Sequence, residues 1–202
     1  MILMPIRSFC AVLLVLGQAA PSKPAPSGAQ ADPKRQFAER MEKLSAPTES
    51  HKLLEPLVGN FDQATEVRMG PGDPMRTKAI GTGTWVMGGR FVRVDSASAA
   101  DEELKGERMN VYGYDPAAKK FTLWGIETFG LTSYSATGDF DAATKTFTFD
   151  GERDAPNGTK SPFRWTMKVG DGGTLTQAIS VKMPGGDAMV PVVTVTHTRR
   201  KG

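Results

Sequence analysis

The chain has 202 residues, 39% of them hydrophobic and 23% charged, a composition that supports a folded domain with appendages rather than a disordered chain. Its 25 basic and 22 acidic residues leave a net charge of only +3, and no basic run precedes the terminal "RRKG", so nucleic acid is not an expected partner. The single cysteine, Cys10, excludes a disulfide framework and a thiolate metal cluster.

In chain order, residues 1–20, "MILMPIRSFCAVLLVLGQAA", carry Arg7, an apolar run and then small residues. This is the layout of a cleavable signal peptide, with cleavage expected after Ala19 or Ala20. The apolar run is too short to span a bilayer, so no transmembrane segment is expected after cleavage and a periplasmic or secreted bacterial protein is. Cys10 leaves with the signal, and a mature chain without thiols suits an oxidising compartment. Residues 21–47 read as a Pro-, Ala- and Ser-rich linker followed by a helix. Asp32 caps that helix, Pro33 occupies its first position and Pro47 stops it. Phe37, Met41 and Leu44 form one narrow apolar stripe along it.

The domain proper is expected over 48–200. Ser50 can cap a short helical turn bearing Leu53 and Leu54, Pro56 ends it, and Gly59 frees the backbone before the first strand. From Asn60 onward the period changes. Strand-like runs fall near 60–69, 76–87, 90–98, 104–114, 120–128, 131–140, 145–152, 162–169, 173–183 and 188–198, separated by Gly-, Pro-, Asn- and Asp-rich breaks. The phrase "YDPAAKKFT" at 114–122 returns as "FDAATKTFT" at 140–148. Two copies 26 residues apart are one hairpin turn used twice rather than a repeat array, with Asp115 and Asp141 capping the turns.

Ten strands with short connections predict an all-β, up-and-down antiparallel barrel of lipocalin-like type with a short N-terminal helix, since closure removes aggregation-prone edges. Leu53–Leu57 would plug one end. Runs such as "RTKAIGTGTW" and "ELKGERMNVY" are too polar on both faces for an outer-membrane barrel.

The segments "HKLLEPLVGNFDQATEV", "GTWVMGGRFVRV", "YGYDPAAKKFTLWGIETFG", "ATGDFDAATKTFTFDGE" and "VTVTHTRR" together resemble an uncharacterised bacterial family, domain-of-unknown-function family 1579, over roughly residues 50–200. "LVGNF" also resembles the opening of nitrobindin-like and fatty-acid-binding barrels, with Phe61 where tryptophan is usual. The resemblance implies the barrel and brings no activity.

Among residues able to carry chemistry, alternation puts His197 on one face with Val193 and Val195. Nitrobindin-like barrels bind haem through a histidine near the C-terminus, but the resembled family tends to hold an aromatic there, so neither haem nor another cofactor is expected. The only other histidine, His51, reads as a surface or capping residue, and a zinc site of several histidines is not available. Glu127 shares a face with Phe121, Leu123 and Phe129, where a carboxylate could bind a ligand or act as a base, or else be a rim or outward residue paired with Arg or Lys. Trp85, Trp124 and Trp165 are candidate cavity walls. The glycines of "GTGTW" lack the helix and lysine of a phosphate cradle. The expected function is binding of a small apolar molecule in the barrel interior, lined by Trp85, Trp124, Glu127, Trp165 and His197, rather than catalysis. Two alternatives are an enzyme using Glu127 or His197 as acid or base, and an interaction module with a filled core.

Overall fold

The computed structural model describes residues 32–200 apart from 69, 71, 131, 155–157 and 183–185. The expected leader and most of the linker lie outside these residues. Helix α1 (Pro33–Ser45) buries no side chain, and Asp32 caps it by accepting from Lys34 N at 3.0 Å. The second helix, α2 (Glu49–Lys52), leads into a 3-10 turn at Glu55–Leu57. Ten strands follow: β1 (Gly59–Val67), β2 (Met75–Val86), β3 (Phe91–Ser98), β4 (Glu107–Asp115), β5 (Lys120–Glu127), β6 (Tyr134–Asp141), β7 (Thr146–Asp154), β8 (Lys160–Val169), β9 (Leu175–Lys182) and β10 (Met189–Arg199).

Every strand pairs antiparallel with its sequence neighbour, and β1 pairs with β10 to close the barrel. That closing seam runs from Phe61 opposite Arg199 to Val67 opposite Val193. The expected all-β, up-and-down barrel of ten strands is therefore the observed fold. Pro191 sits on β10 at a register shift against β9, where its missing N–H costs no ladder bond.

The two copies of the repeated phrase are both hairpin turns. Asp115 Oδ1 accepts from Ala117 N at 2.8 Å and Ala118 N at 3.1 Å. Asp141 Oδ1 accepts from Ala143 N at 2.9 Å, and Thr144 Oγ1 donates to Asp141 Oδ2 at 2.8 Å. Those bonds hold the Asp141 carboxyl below the usual carboxylate range. Each turn ends on a lysine in left-handed backbone, Lys119 at φ 54 and Lys145 at φ 53. The outer wall carries ion pairs between neighbouring strands, including Arg164 with Asp150 and Lys120 with Asp139. Among the described residues no helix is long and apolar enough to cross a membrane.

Alternation sends Phe121 and Leu123 of β5, Phe147 and Phe149 of β7, and Trp165 and Met167 of β8 into a core in which each is at most 5% exposed. Burying a side chain of this size contributes about 1.5–3 kcal/mol. The rings pack edge to face, as in Phe121 against Phe147 at 5.0 Å between centroids, the arrangement their quadrupoles favour.

The segment from α2 to Leu57 plugs one end, with Leu54 fully buried and Leu57 at 3% exposure. Its cap is Thr48 rather than the expected Ser50: Thr48 N donates to His51 Nδ1 at 2.9 Å. Burial, chiefly, then the charge of Arg90, hold the His51 imidazole below its usual pKa. The second glycine of "GTGTW" explains how close the plug comes, because a Cβ at Gly83 would overlap the Leu57 carbonyl. Replacing Gly83 by Ala is expected to cost about 1–3 kcal/mol in a urea melt, the range of an overpacked core. Thr84→Ala, on the exposed face of the same strand, is expected to change stability by less than about 0.5 kcal/mol.

Candidate binding site in the barrel interior

The closing seam places Gln63 of β1 opposite His197 of β10, and both side chains turn inward, 3% and 5% exposed. The Gln63 amide nitrogen donates to Ser96 Oγ at 3.1 Å and meets His197 Nδ1 at 3.2 Å. Only a residue without Cβ leaves space for that amide, since a Cβ at Gly81 would overlap it. Burial, and secondarily the charge of Arg108, lower the His197 pKa to about 4, so the ring is neutral at pH 7. With a donor on Nδ1, the ring proton sits on Nε2, and His197 Nε2 has no partner.

A second polar chain runs across β4 and β6. Tyr134 Oη donates to Asn110 Oδ1 at 2.6 Å, and Asn110 Nδ2 donates to Tyr112 Oη at 3.5 Å. Burial raises the pKa of both phenols, which keeps them protonated. Arg108 precedes Asn110 and Tyr112 on the same inward face of β4. Its guanidinium carbon lies 5.6 Å from the Trp165 ring centroid, within cation–π range, and its charge is felt at Tyr112, Tyr134 and His197. Arg108 Nε is buried without a hydrogen-bond partner.

These residues enclose a cavity of about 10 Å³, room for one water-sized group. Phe61, Met167 and Leu175 supply apolar wall, and Ser96, Asn110, Arg108, Gln177 and His197 supply the polar wall, with no Asp or Glu among the lining residues. Three lining nitrogens are buried and unpartnered: Arg108 Nε, Gln177 Nε2 and His197 Nε2. A fourth, Trp165 Nε1, is equally unpartnered. A far larger concavity, about 860 Å³, is open to solvent along β2–β5, where the outward Ile80, Asp95, Met109 and Ile126 line it together with Ser96, Arg108 and Glu127.

The five residues expected from the sequence to line a ligand do not converge. His197 stands in the cavity wall. Trp165 is buried under Arg108 and also lines a cleft of about 20 Å³ with Glu127, Tyr134, Arg153, Phe163 and Ile179. Glu127 is on the inner face, as its alternation with Phe121 and Leu123 implied, but it lines that cleft and not the cavity of His197. Trp85 is at the plugged end, where Nε1 donates to Glu55 Oε2 at 2.8 Å. Trp124 points outward, 40% exposed, and lines no interior wall. Sequence reasoning missed Gln63, Ser96, Arg108, Asn110 and Gln177. Among the described residues no cluster of three or more His, Cys, Asp or Glu could hold a metal ion.

The family model described as "Protein of unknown function (DUF1579)" matches residues 46–199. The chain belongs to this family. Its match begins just before α2 and ends on β10, so the plug and all ten strands are family features. Among solved structures, Rv2717c from M. tuberculosis is similar at a TM-score of 0.58 and 11% identity, covering 77% of this chain and all (100%) of that one. The S-type phycobiliprotein lyase CPES from Guillardia theta is similar at a TM-score of 0.50 and 13% identity, covering 80% of this chain and 98% of that one. At these identities the likeness is one of fold. No curated protein matches the chain.

The lowered pKa of His197 makes stability pH-dependent. Protonation favours the unfolded chain, so the contribution is complete above the ordinary histidine pKa of 6.5 and is lost as pH falls from 6.5 to about 4. The loss is expected to reach about 3 kcal/mol. Urea melts across this window should show it, and His197→Gln should flatten most of the slope, leaving the smaller part due to His51.

Proposed function

We propose that the protein binds a small polar molecule inside its barrel and that it does so outside the cytoplasm. The observation that carries the first part is the cavity itself: three buried N–H groups without partners belong to residues that line it. A buried donor left unsatisfied costs about 1–3 kcal/mol, and a bound molecule that accepts from it recovers that cost. The small apolar ligand expected from the sequence is less favoured, because aromatic side chains fill most of the interior and the groups left without partners in the cavity are N–H donors. Binding is favoured over acid–base catalysis because Glu127 and His197 line different cavities. The leader-like stretch over residues 1–20 supports export.

Native mass spectrometry of the protein purified from its own host tests the binding. The expected spectrum shows an adduct of small mass that is released on denaturation and is absent from His197→Phe. A bare polypeptide mass, unchanged by any small polar metabolite added back, would contradict the reading. The same spectra test export: the mature chain is expected to begin at Ala20 or Pro21, and a full-length chain starting at Met1 would contradict it.

A further inference from the structure

We propose that the cavity is a site for a small monovalent anion, a halide or formate, with Arg108 as its counter-charge and Gln177 and His197 as its orienting donors. The inference rests on the reading of the interior as a binding site and adds the charge of what binds.

Three features of the wall select an anion. The first is the sign of the unpartnered groups. Arg108 Nε, Gln177 Nε2 and His197 Nε2 are nitrogens, and each presents a hydrogen. Gln177 is 1% exposed and His197 5%, so bulk water does not reach these donors. His197 is held in this sense by Gln63, whose amide nitrogen occupies Nδ1 and leaves the ring proton on the cavity side. One trapped water accepts two hydrogen bonds and must dispose of two hydrogens of its own. An anion accepts from all three donors and brings none.

The second feature is charge. Arg108 is half-buried and makes no ion pair among the described residues. Its described contact is the Trp165 face, which attracts a cation without neutralising it. Glu127 is opposite Arg108 in the β4–β5 register and shares the open concavity with it, yet no ion pair joins the two and Glu127 does not line the cavity of His197. A guanidinium drawn inward without a counter-ion is expensive, and an anion in the cavity supplies what is missing. The third feature is the absence of any carboxylate among the cavity-lining residues, so nothing there repels a negative ligand.

The test is a titration of the full mature chain with sodium formate, chloride and nitrate at constant ionic strength, read by NMR at the Arg108 Nε–H and His197 Nε2–H resonances. Saturable shifts of both are expected. Arg108→Met and Gln177→Leu are each expected to weaken formate binding roughly ten- to hundredfold, the equivalent of a charge-assisted hydrogen bond. In anion-free buffer Arg108→Met should melt higher than the parent chain, because it removes a half-buried guanidinium whose Nε has no partner. Arg108→Met melting lower would mean that the guanidinium is satisfied by packing alone and would overturn the proposal. Neutral formamide separates the two levels of the argument. If formamide binds as well as formate, the charge assignment falls and the small-molecule reading stands. If neither binds, both fall.

Discussion

Everything inside this barrel depends on one pairing, the seam between the first and last strands. β1 and β10 meet in antiparallel register from Phe61 opposite Arg199 to Val67 opposite Val193, linking residues more than a hundred positions apart in the chain. Without the seam the sheet would have two bare edges and no interior. The seam also builds the site. The Gln63–His197 contact spans it, and Ser96 on β3 extends it to a third strand through Gln63. The plug is fastened to the same place, since Arg199 donates to Val58 O at 2.6 Å and to Pro56 O at 3.2 Å while lying over the Phe61 ring. Closure, plugging and the orientation of His197 are thus one set of contacts.

The interior that results has two regions. One is an aromatic core of Phe121, Phe140, Phe147 and Tyr114. The other is polar, with two short hydrogen-bonded chains and one arginine, and its cavity reaches Leu57 of the plug. A fold selected for stability alone would fill that region with apolar side chains, which cost no desolvation. The proposed site accounts for three unsatisfied donors there, one of them on a cation: a bound molecule would complete their hydrogen bonds and add to the stability of the fold.

Much of this fold was legible in the sequence because its signals are local. The Asp-started turns, the Gly-, Pro-, Asn- and Asp-rich breaks and the period-two runs lie within a few residues of what they specify, and all ten strands stand within a few residues of where those signals put them. The polar interior was not legible, and β4 shows why. In "ERMNVYG" the apolar Met109 and Val111 face outward while Arg108, Asn110 and Tyr112 face inward, the reverse of what hydrophobic alternation suggests. Which face turns inward is decided by the partners across the barrel, and those partners are remote in sequence. Trp124 is a different case. Its neighbours Leu123 and Gly125 are buried, so the parity that placed Glu127 inside already required Trp124 to be outside. The glycines of "GTGTW" carried a signal as well: Gly81 and Gly83 are small because Gln63 and the plug backbone occupy the space where their side chains would be.

The claim most open to direct contradiction is that the centre of the barrel holds negative charge. Crystals of the mature chain grown in bromide, with diffraction measured at the bromine absorption edge, would show it as anomalous density. The account predicts one ordered peak within hydrogen-bonding reach of Arg108 Nε, Gln177 Nε2 and His197 Nε2, absent from crystals of Arg108→Met. A cavity with no anomalous peak, its density explained by a single neutral water bonded to the same atoms, would contradict it.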